Sequence, residues 1–237
     1  MSKEGPKGPK VAKGSAGQMG RMGPVGPKRP VKPVEPVKRY TPSKKIAMDM
    51  DTDLNIEIRP AEIGDYPIIA RAVCMAIGEE TAKRYCGDNC LEALEKIARM
   101  EGTQYSYRNA LVATANGVPA GAIVGYDGGQ LHRLRERTLS VVRRYNPQVA
   151  AVEDETGEGE FYLDSIGILP GFRGCGVGRK LLTAMRERAI AAGHGCVGLL
   201  VDCENPRAEQ LYVAIGFVPV GTRRFFGHTM RHLQWRP

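Results

Sequence analysis

Residues 173–178, Arg-Gly-Cys-Gly-Val-Gly, set three glycines two apart behind one guanidinium. Glycine has no Cβ, so the N–H groups of such a turn can crowd around a ligand. The apolar run Phe161–Leu169 precedes the turn and is stopped by Pro170-Gly171. Leu181, Leu182, Met185 and Ala189 follow on one helical face. Strand, glycine turn and helix start therefore adjoin, and the positive end of that helix favours an anion. The chemistry indicated is phosphate binding. The spacing is G-x-G-x-G, not the G-x-G-x-x-G of a dinucleotide fold, although Asp202 stands at a tempting distance downstream. A G-x-x-x-x-G-K-[ST] string is absent.

Downstream lie Asn205-Pro206-Arg207-Ala208, Leu211-Tyr212 and Gly216-Phe217, beyond a strand-like Val197–Val201. Read as R-x-x-G-x-G followed by N-x-x-A-x-x-L-Y-x-x-x-G-F, the two motifs resemble those of the GCN5-related N-acetyltransferases, the GNAT family. The resemblance covers about residues 56–235. It implies that acetyl-CoA is the co-substrate, with Arg173, Gly174, Cys175, Gly176, Val177, Gly178 and Arg179 around its pyrophosphate. It also implies that the fourth and fifth strands splay, so that backbone N–H groups near Ile166 and Ile168 meet the pantetheine arm and carbonyl. Asn205 is expected beside the pantetheine, and Tyr212 matches the family tyrosine that faces the departing thiolate. Asn205 also reads as a helix N-cap.

Acetyl transfer to an amine needs a neutral amine, a stabilised oxyanion and a proton for the thiolate. Strand alternation puts Glu160, Tyr162, Asp164, Ile166 and Ile168 on one face. The position where some relatives carry a general-base Glu falls on Tyr162, a departure from that pattern. Asp164 is the leading replacement and Glu160 the second, while Asp164 could equally be held by Ser165 and backbone donors. Cys175 has no evident base and reads as a tolerated loop residue.

Other elements follow from pattern. Leu54–Arg59 alternates as a first strand; Asp65, with Pro67, opens a helix to about Ile77; Asn89 caps another over Leu91–Met100. Asn116-Gly117 joins strands Ala110–Ala115 and Val118–Tyr126. Gln130–Tyr145 reads as an amphipathic helix whose arginines form a solvated face. It belongs to an insertion, 127–159, expected to cover the acceptor site or a subunit interface. Residues 153–160 hold five carboxylates, read either as a solvated loop or as a negative rim drawing in a cationic amine. Val218–Val220 and His232–Trp235 read as the last two strands. Cys86-x3-Cys90 and His228-x3-His232 lack further ligands, so no metal is expected.

The formal charge of +8 on 237 residues is lopsided. Residues 1–45 carry 12 Lys/Arg against Glu4 and Glu35, or +10, leaving 22 against 24 elsewhere, or −2. With eight of 16 prolines, the tail at 1–50 reads as disordered, with 51–237 a GNAT domain. A basic arm suggests nucleic acid or ribosomes weakly, since no aromatics interleave. No apolar run suits a membrane span, and six scattered cysteines read as reduced thiols, which suggests a cytoplasmic protein. The fold expected is α/β: a mixed, mostly antiparallel central sheet of about seven strands flanked by helices. The function expected is N-acetylation of a primary amine by direct attack in a ternary complex. A small cationic acceptor is slightly favoured over a protein, and a homodimer is compatible. The alternatives are a silent acyl-CoA-binding module and an RNA- or ribosome-associated protein acting through its tail.

Overall fold

A computed structural model of the protein describes residues 54–237, and the expectations for the basic tail lie outside the described residues. In chain order come strand β1 (Ile56–Pro60), helices α1 (Tyr66–Ile77), α2 (Glu79–Cys86) and α3 (Cys90–Arg99), then β2 (Ala110–Ala115) and β3 (Val118–Asp127). Helix α4 (Leu131–Tyr145), β4 (Phe161–Ile168), α5 (Val177–Ala191), β5 (Val197–Asp202), α6 (Pro206–Val213), β6 (Val218–Phe225) and β7 (His228–Trp235) complete it. The sheet order is β1-β2-β3-β4-β5-β7-β6, and β4–β5 is its one parallel pairing among the described residues. This is the mixed, mostly antiparallel seven-stranded sheet expected.

Helices cover both faces because the strands are apolar on both. On one face Ile69 and Val73 of α1 and Leu94 and Ile97 of α3 pack on Val112 and Val124. On the other, Leu181, Leu182 and Met185 of α5 pack on Ile123, Leu163 and Leu199. Each fully buried aliphatic side chain contributes about 1.5–3 kcal/mol. Gly167 permits the contact of α1 with β4: a Cβ there would fall 2.4 Å from Ala72 Cα. Asn116 and Gly117 have φ of 50° and 75°, the paired left-handed residues that a two-residue hairpin turn requires.

Several local expectations change. Helix α2 has too few apolar residues to signal itself; it buries Ala82, Tyr85 and Cys86 between Gly78 and Gly87. The Asp65 carboxylate does not cap α1; it grips Arg59 at 2.7 and 2.9 Å and the Glu62 N–H at 2.7 Å. Asn89 precedes α3 without a side-chain cap. Strands β6 and β7 run on to Phe225 and from His228, because Phe226 and Gly227 take φ of 50° and 83° and close a tight hairpin.

The change that matters for chemistry is a bulge in β4. Val124 faces Ser165 and Gly125 faces Leu163, so Asp164 is the extra residue with no partner on β3. A bulge re-aims side chains. Strict alternation therefore fails past Leu163: Ile166 and Ile168 join Phe161 and Leu163 on the α5 face. Tyr162 packs instead with Tyr126 and Leu131 on the other side.

Candidate active site

Strands β4 and β5 pair from Phe161–Leu163 against Val197–Leu199 and then part. A cavity of about 380 Å³ opens in the gap. Asp164, Ile166 and Ile168 of β4, Asp202 of β5, Tyr212 of α6 and His228 of β7 contribute to its wall. The Leu169 N–H donates to Ala120 O on β3 at 2.9 Å. Pleating then turns the backbone groups of Ile168 and Ile166 the other way, towards the gap. The Ile168 carbonyl accordingly accepts from Arg173 Nε at 3.2 Å.

The glycine loop lies beside this gap, with Gly178 in the cavity wall. Gly174 and Gly176 take φ of 80° and 81°, a region that side-chain-bearing residues avoid, and Gly176 is the N-cap of α5. The first N–H groups of α5 have no intrahelical acceptor and sit at its positive end. Arg173, Cys175 and Arg179 are exposed, whereas the Val177 side chain is buried in the core and anchors the turn. Cys175 Sγ lies 3.7 Å from the Arg173 carbonyl and approaches no base.

Asp164 is the most perturbed carboxyl in the cavity wall. Its Oδ1 accepts from Ser165 Oγ at 2.7 Å, and its Oδ2 lies 3.0 Å from the Tyr126 hydroxyl. That hydroxyl also lies 2.8 Å from Glu155 Oε1 and accepts from Gln104 Nε2 at 3.2 Å. One phenolic proton cannot serve two carboxylates. Glu155 touches the Arg135 guanidinium and accepts from Gln104 at 2.8 Å, so the negative charge belongs on Glu155. A proton on Asp164 then completes the Tyr126 contact. Burial, followed by the charge of Glu155, pushes the Asp164 carboxyl up to about 7, against the pull of Ser165 and Tyr126. A group titrating there is matched to general-base work near neutrality.

Glu155 and Arg135 come from the 127–159 insertion, and both are corrections to the sequence reading. Glu155 is 1% exposed and Arg135 7%, so neither belongs to a solvated face or a negative rim. The guanidinium also binds Asp154 Oδ1 at 2.6 Å and the Val152 and Glu153 carbonyls at 3.0 Å. Burial raises the Glu155 carboxyl above its usual range, with Arg135 pulling against it. Removing one partner of such a pair strands the other charge and typically costs about 3–5 kcal/mol. Glu155→Ala is expected to lower stability by that amount in chemical denaturation, and a loss under 1 kcal/mol would show that Asp154 and the carbonyls suffice for Arg135.

Glu160 is not brought to the site. It is 5% exposed and lies outside the cavity wall. Thr156 Oγ1 at 2.7 Å, His232 Nε2 at 3.0 Å and Gln234 Nε2 at 2.9 Å surround its carboxylate. Burial would raise this carboxyl, but those hydrogen bonds outweigh it and hold it below the usual range. Such an anion is a structural anchor between the turn that precedes β4 and strand β7, and a weak base.

Asn205 and Tyr212 both reach the cavity. Asn205 Oδ1 also caps α6 through the Ala208 N–H at 3.2 Å, so its two expected positions coincide. Tyr212 is half-buried, its ring 6.1 Å from that of Phe217, and its hydroxyl makes no hydrogen bond among the described residues. Burial pushes that hydroxyl up to about 12. Sequence reasoning passed over Tyr126, Glu155 and Arg135 as parts of the site. No spacing pattern links residues 126, 135, 155 and 164, and only the fold assembles them.

Comparison with known proteins agrees with this fold. The family model described as Acetyltransferase (GNAT) family matches residues 83–217. An N-alpha-acetyltransferase RimI of Mycobacterium tuberculosis is 42% identical over 65 residues, 27% of this chain and 39% of that protein. A mycothiol acetyltransferase of Beutenbergia cavernae is 37% identical over 73 residues, 31% of this chain and 24% of that protein. The chain thus spans about two-fifths and a quarter of these two relatives. A crystal structure titled as an acetyltransferase superposes with a TM-score of 0.65 at 33% identity, covering 76% of this chain and 98% of that one. An N-acetyltransferase from Staphylococcus aureus Mu50 shares the fold, with a TM-score of 0.65 at 24% identity over 75% of this chain and 99% of that one.

Proposed function

The chain belongs to the GNAT acetyltransferase family, and from that premise we propose that it transfers the acetyl group of acetyl-CoA to a primary amine, by direct attack within a ternary complex. The observation that carries this reading is the gap between β4 and β5, with the glycine loop at its margin and both Asp164 and Tyr212 in its wall. Arg173 and the amides of 174–179 would hold the pyrophosphate. The backbone N–H groups of Ile166 and Ile168 would meet the pantetheine and the thioester carbonyl, where they would stabilise the oxyanion. Asn205 would bind the pantetheine region. Acetyl-CoA supplies the activated acyl group; Asp164 accepts a proton from the attacking nitrogen, and Tyr212 gives one to the leaving sulfur. None of the cavity-lining residues is an acyl-accepting Cys, in keeping with direct attack.

Charge favours a cationic acceptor. The wall contains the carboxyl groups of Asp164 and Asp202 and neither Lys nor Arg, and once Asp164 ionises above about pH 7 the cleft is of one sign and concentrates ligands of the other. Phe225, Phe226 and Met230 add an apolar side, which suits a small amine with an aliphatic body.

The test is thermal shift of the full chain with acetyl-CoA, CoA and NAD side by side, followed by thiol release on a panel of amines. A ligand that binds the folded state at a hundredfold excess over Kd adds about 2.7 kcal/mol. Stabilisation by acetyl-CoA and CoA but not NAD, with amine-dependent thiol release, is expected. Binding without turnover on any amine would replace the enzyme by a silent acyl-CoA-binding module, and stabilisation by NAD alone would overturn the reading.

A further inference from the structure

The reaction proposed above has a proton balance that one base does not close. A primary ammonium enters with three hydrogens on nitrogen, and the amide leaves with one. The nitrogen lone pair forms the C–N bond, the C–S bonding pair departs with sulfur, and two protons must leave nitrogen. One is taken by Asp164 and replaces the proton that Tyr212 has given to sulfur. The other must reach solvent. Asp164 is held by Ser165 and Tyr126 on the inner wall of the cavity, so it suits the proton released as the C–N bond forms.

A second titratable group stands on the far wall. His228, the first residue of β7, lines the same cavity, and its Nδ1 lies 2.8 Å from Asp202 Oδ2 at the end of β5. A carboxylate at that nitrogen favours the tautomer protonated on Nδ1. Nε2 is left with its lone pair and no partner among the described residues. This is the arrangement of a base turned by an orienting carboxylate. The two groups are joined by the fold alone: β5 pairs with β7 so that Asp202 faces Met230, and the tight turn at Phe226-Gly227 brings the chain back into His228. The His228 side chain is 47% exposed, so a proton taken from the cavity can pass straight to water. Its i+4 neighbour His232 is committed to Glu160, and the two histidines have separate partners.

We propose that His228, oriented by Asp202, is the second proton acceptor of the site, and that it strips the incoming ammonium before attack while Asp164 takes the later proton. This rests on the acetyl-transfer reading. The titratable groups that share the cavity with His228 are Tyr162 and Asp164 from β4, Asp202 from β5 and Tyr212 from α6. None of these carries positive charge.

The experiment is kcat/KM for thiol release by the full chain between pH 6 and 10, with two probes. One is the α-amine of a short peptide, with a pKa of about 8, and the other is a simple alkylamine, with a pKa of about 10.4. His228→Gln is expected to lower kcat/KM about ten- to a hundredfold at pH 7. The deficit should shrink as pH approaches the pKa of each amine, because a neutral amine needs no stripping. It should therefore close earlier for the peptide. Asp202→Asn should show the same pattern more weakly, and serves alone if His228→Gln does not fold. Stabilisation by CoA should match wild type in both. An unchanged kcat/KM, or a deficit constant across pH and both amines, overturns the role of His228 alone. Absence of thiol release by the wild type with both of these amines and with every other amine of the panel overturns the acetyl-transfer reading, and this inference with it.

Discussion

Tyr212→Phe is expected to lower kcat about 10²- to 10³-fold while leaving the affinity for acetyl-CoA within about twofold, the lower part of the range for general acid catalysis. The substitution removes one oxygen and keeps the ring that packs beside Phe217, so folding and the shape of the cavity are retained. The hydroxyl makes no hydrogen bond among the described residues, hence its removal strands no partner. Burial pushes it up to about 12, which keeps the phenol protonated throughout the working range. It can therefore hydrogen-bond the developing thiolate at every useful pH, and its loss should lower kcat evenly from pH 6 to 10. Equal kcat for variant and wild type would remove Tyr212 from the chemistry. A loss confined to KM for acetyl-CoA would make it a binding residue.

The parts of this protein legible in sequence are those encoded by local spacing. The glycine turn, its following helix, the Asn116-Gly117 hairpin and the Asn205-to-Phe217 ending were each written in consecutive residues. What escaped was set by tertiary pairing. Whether Asp164 follows the pleat depends on β3, because the bulge exists only where Val124 and Gly125 bracket it. Glu155 sits in a run of acidic residues whose composition suggests solvent, yet Arg135 and Gln104, 20 and 51 residues away, draw it inside. Glu160, five positions along, differs because β7 brings His232 and Gln234 to it. Similarly, a histidine and an aspartate 26 residues apart became a dyad through β5–β7 pairing. Arginines on an amphipathic helix looked interchangeable, but one of them meets a buried carboxylate and the others do not.

Asp164→Asn is expected to show opposite signs in activity and stability, and that opposition separates a base from a packing residue. An amide mimics the protonated acid: its oxygen can accept from Ser165, and its NH2 can donate to the Tyr126 oxygen. The fold thus keeps its contacts while the site loses a group that can take up a proton. kcat/KM should fall about 10²- to 10⁴-fold, and the limb in which wild-type activity rises through about pH 7 should disappear. Stability runs the other way. In the folded protein the carboxyl keeps its proton to about pH 7, whereas in the unfolded chain it loses it near 4. The folded state binds more protons between those values, so the wild type loses stability as pH rises through that window. The slope approaches about 1.4 kcal/mol per pH unit. Asp164→Asn removes this slope, and at pH 8 the variant should melt several degrees above wild type, while at pH 4 the two should converge. A variant that is less active and also less stable at pH 8 would place Asp164 among the structural carboxylates, leaving His228 as the main proton acceptor of the cavity.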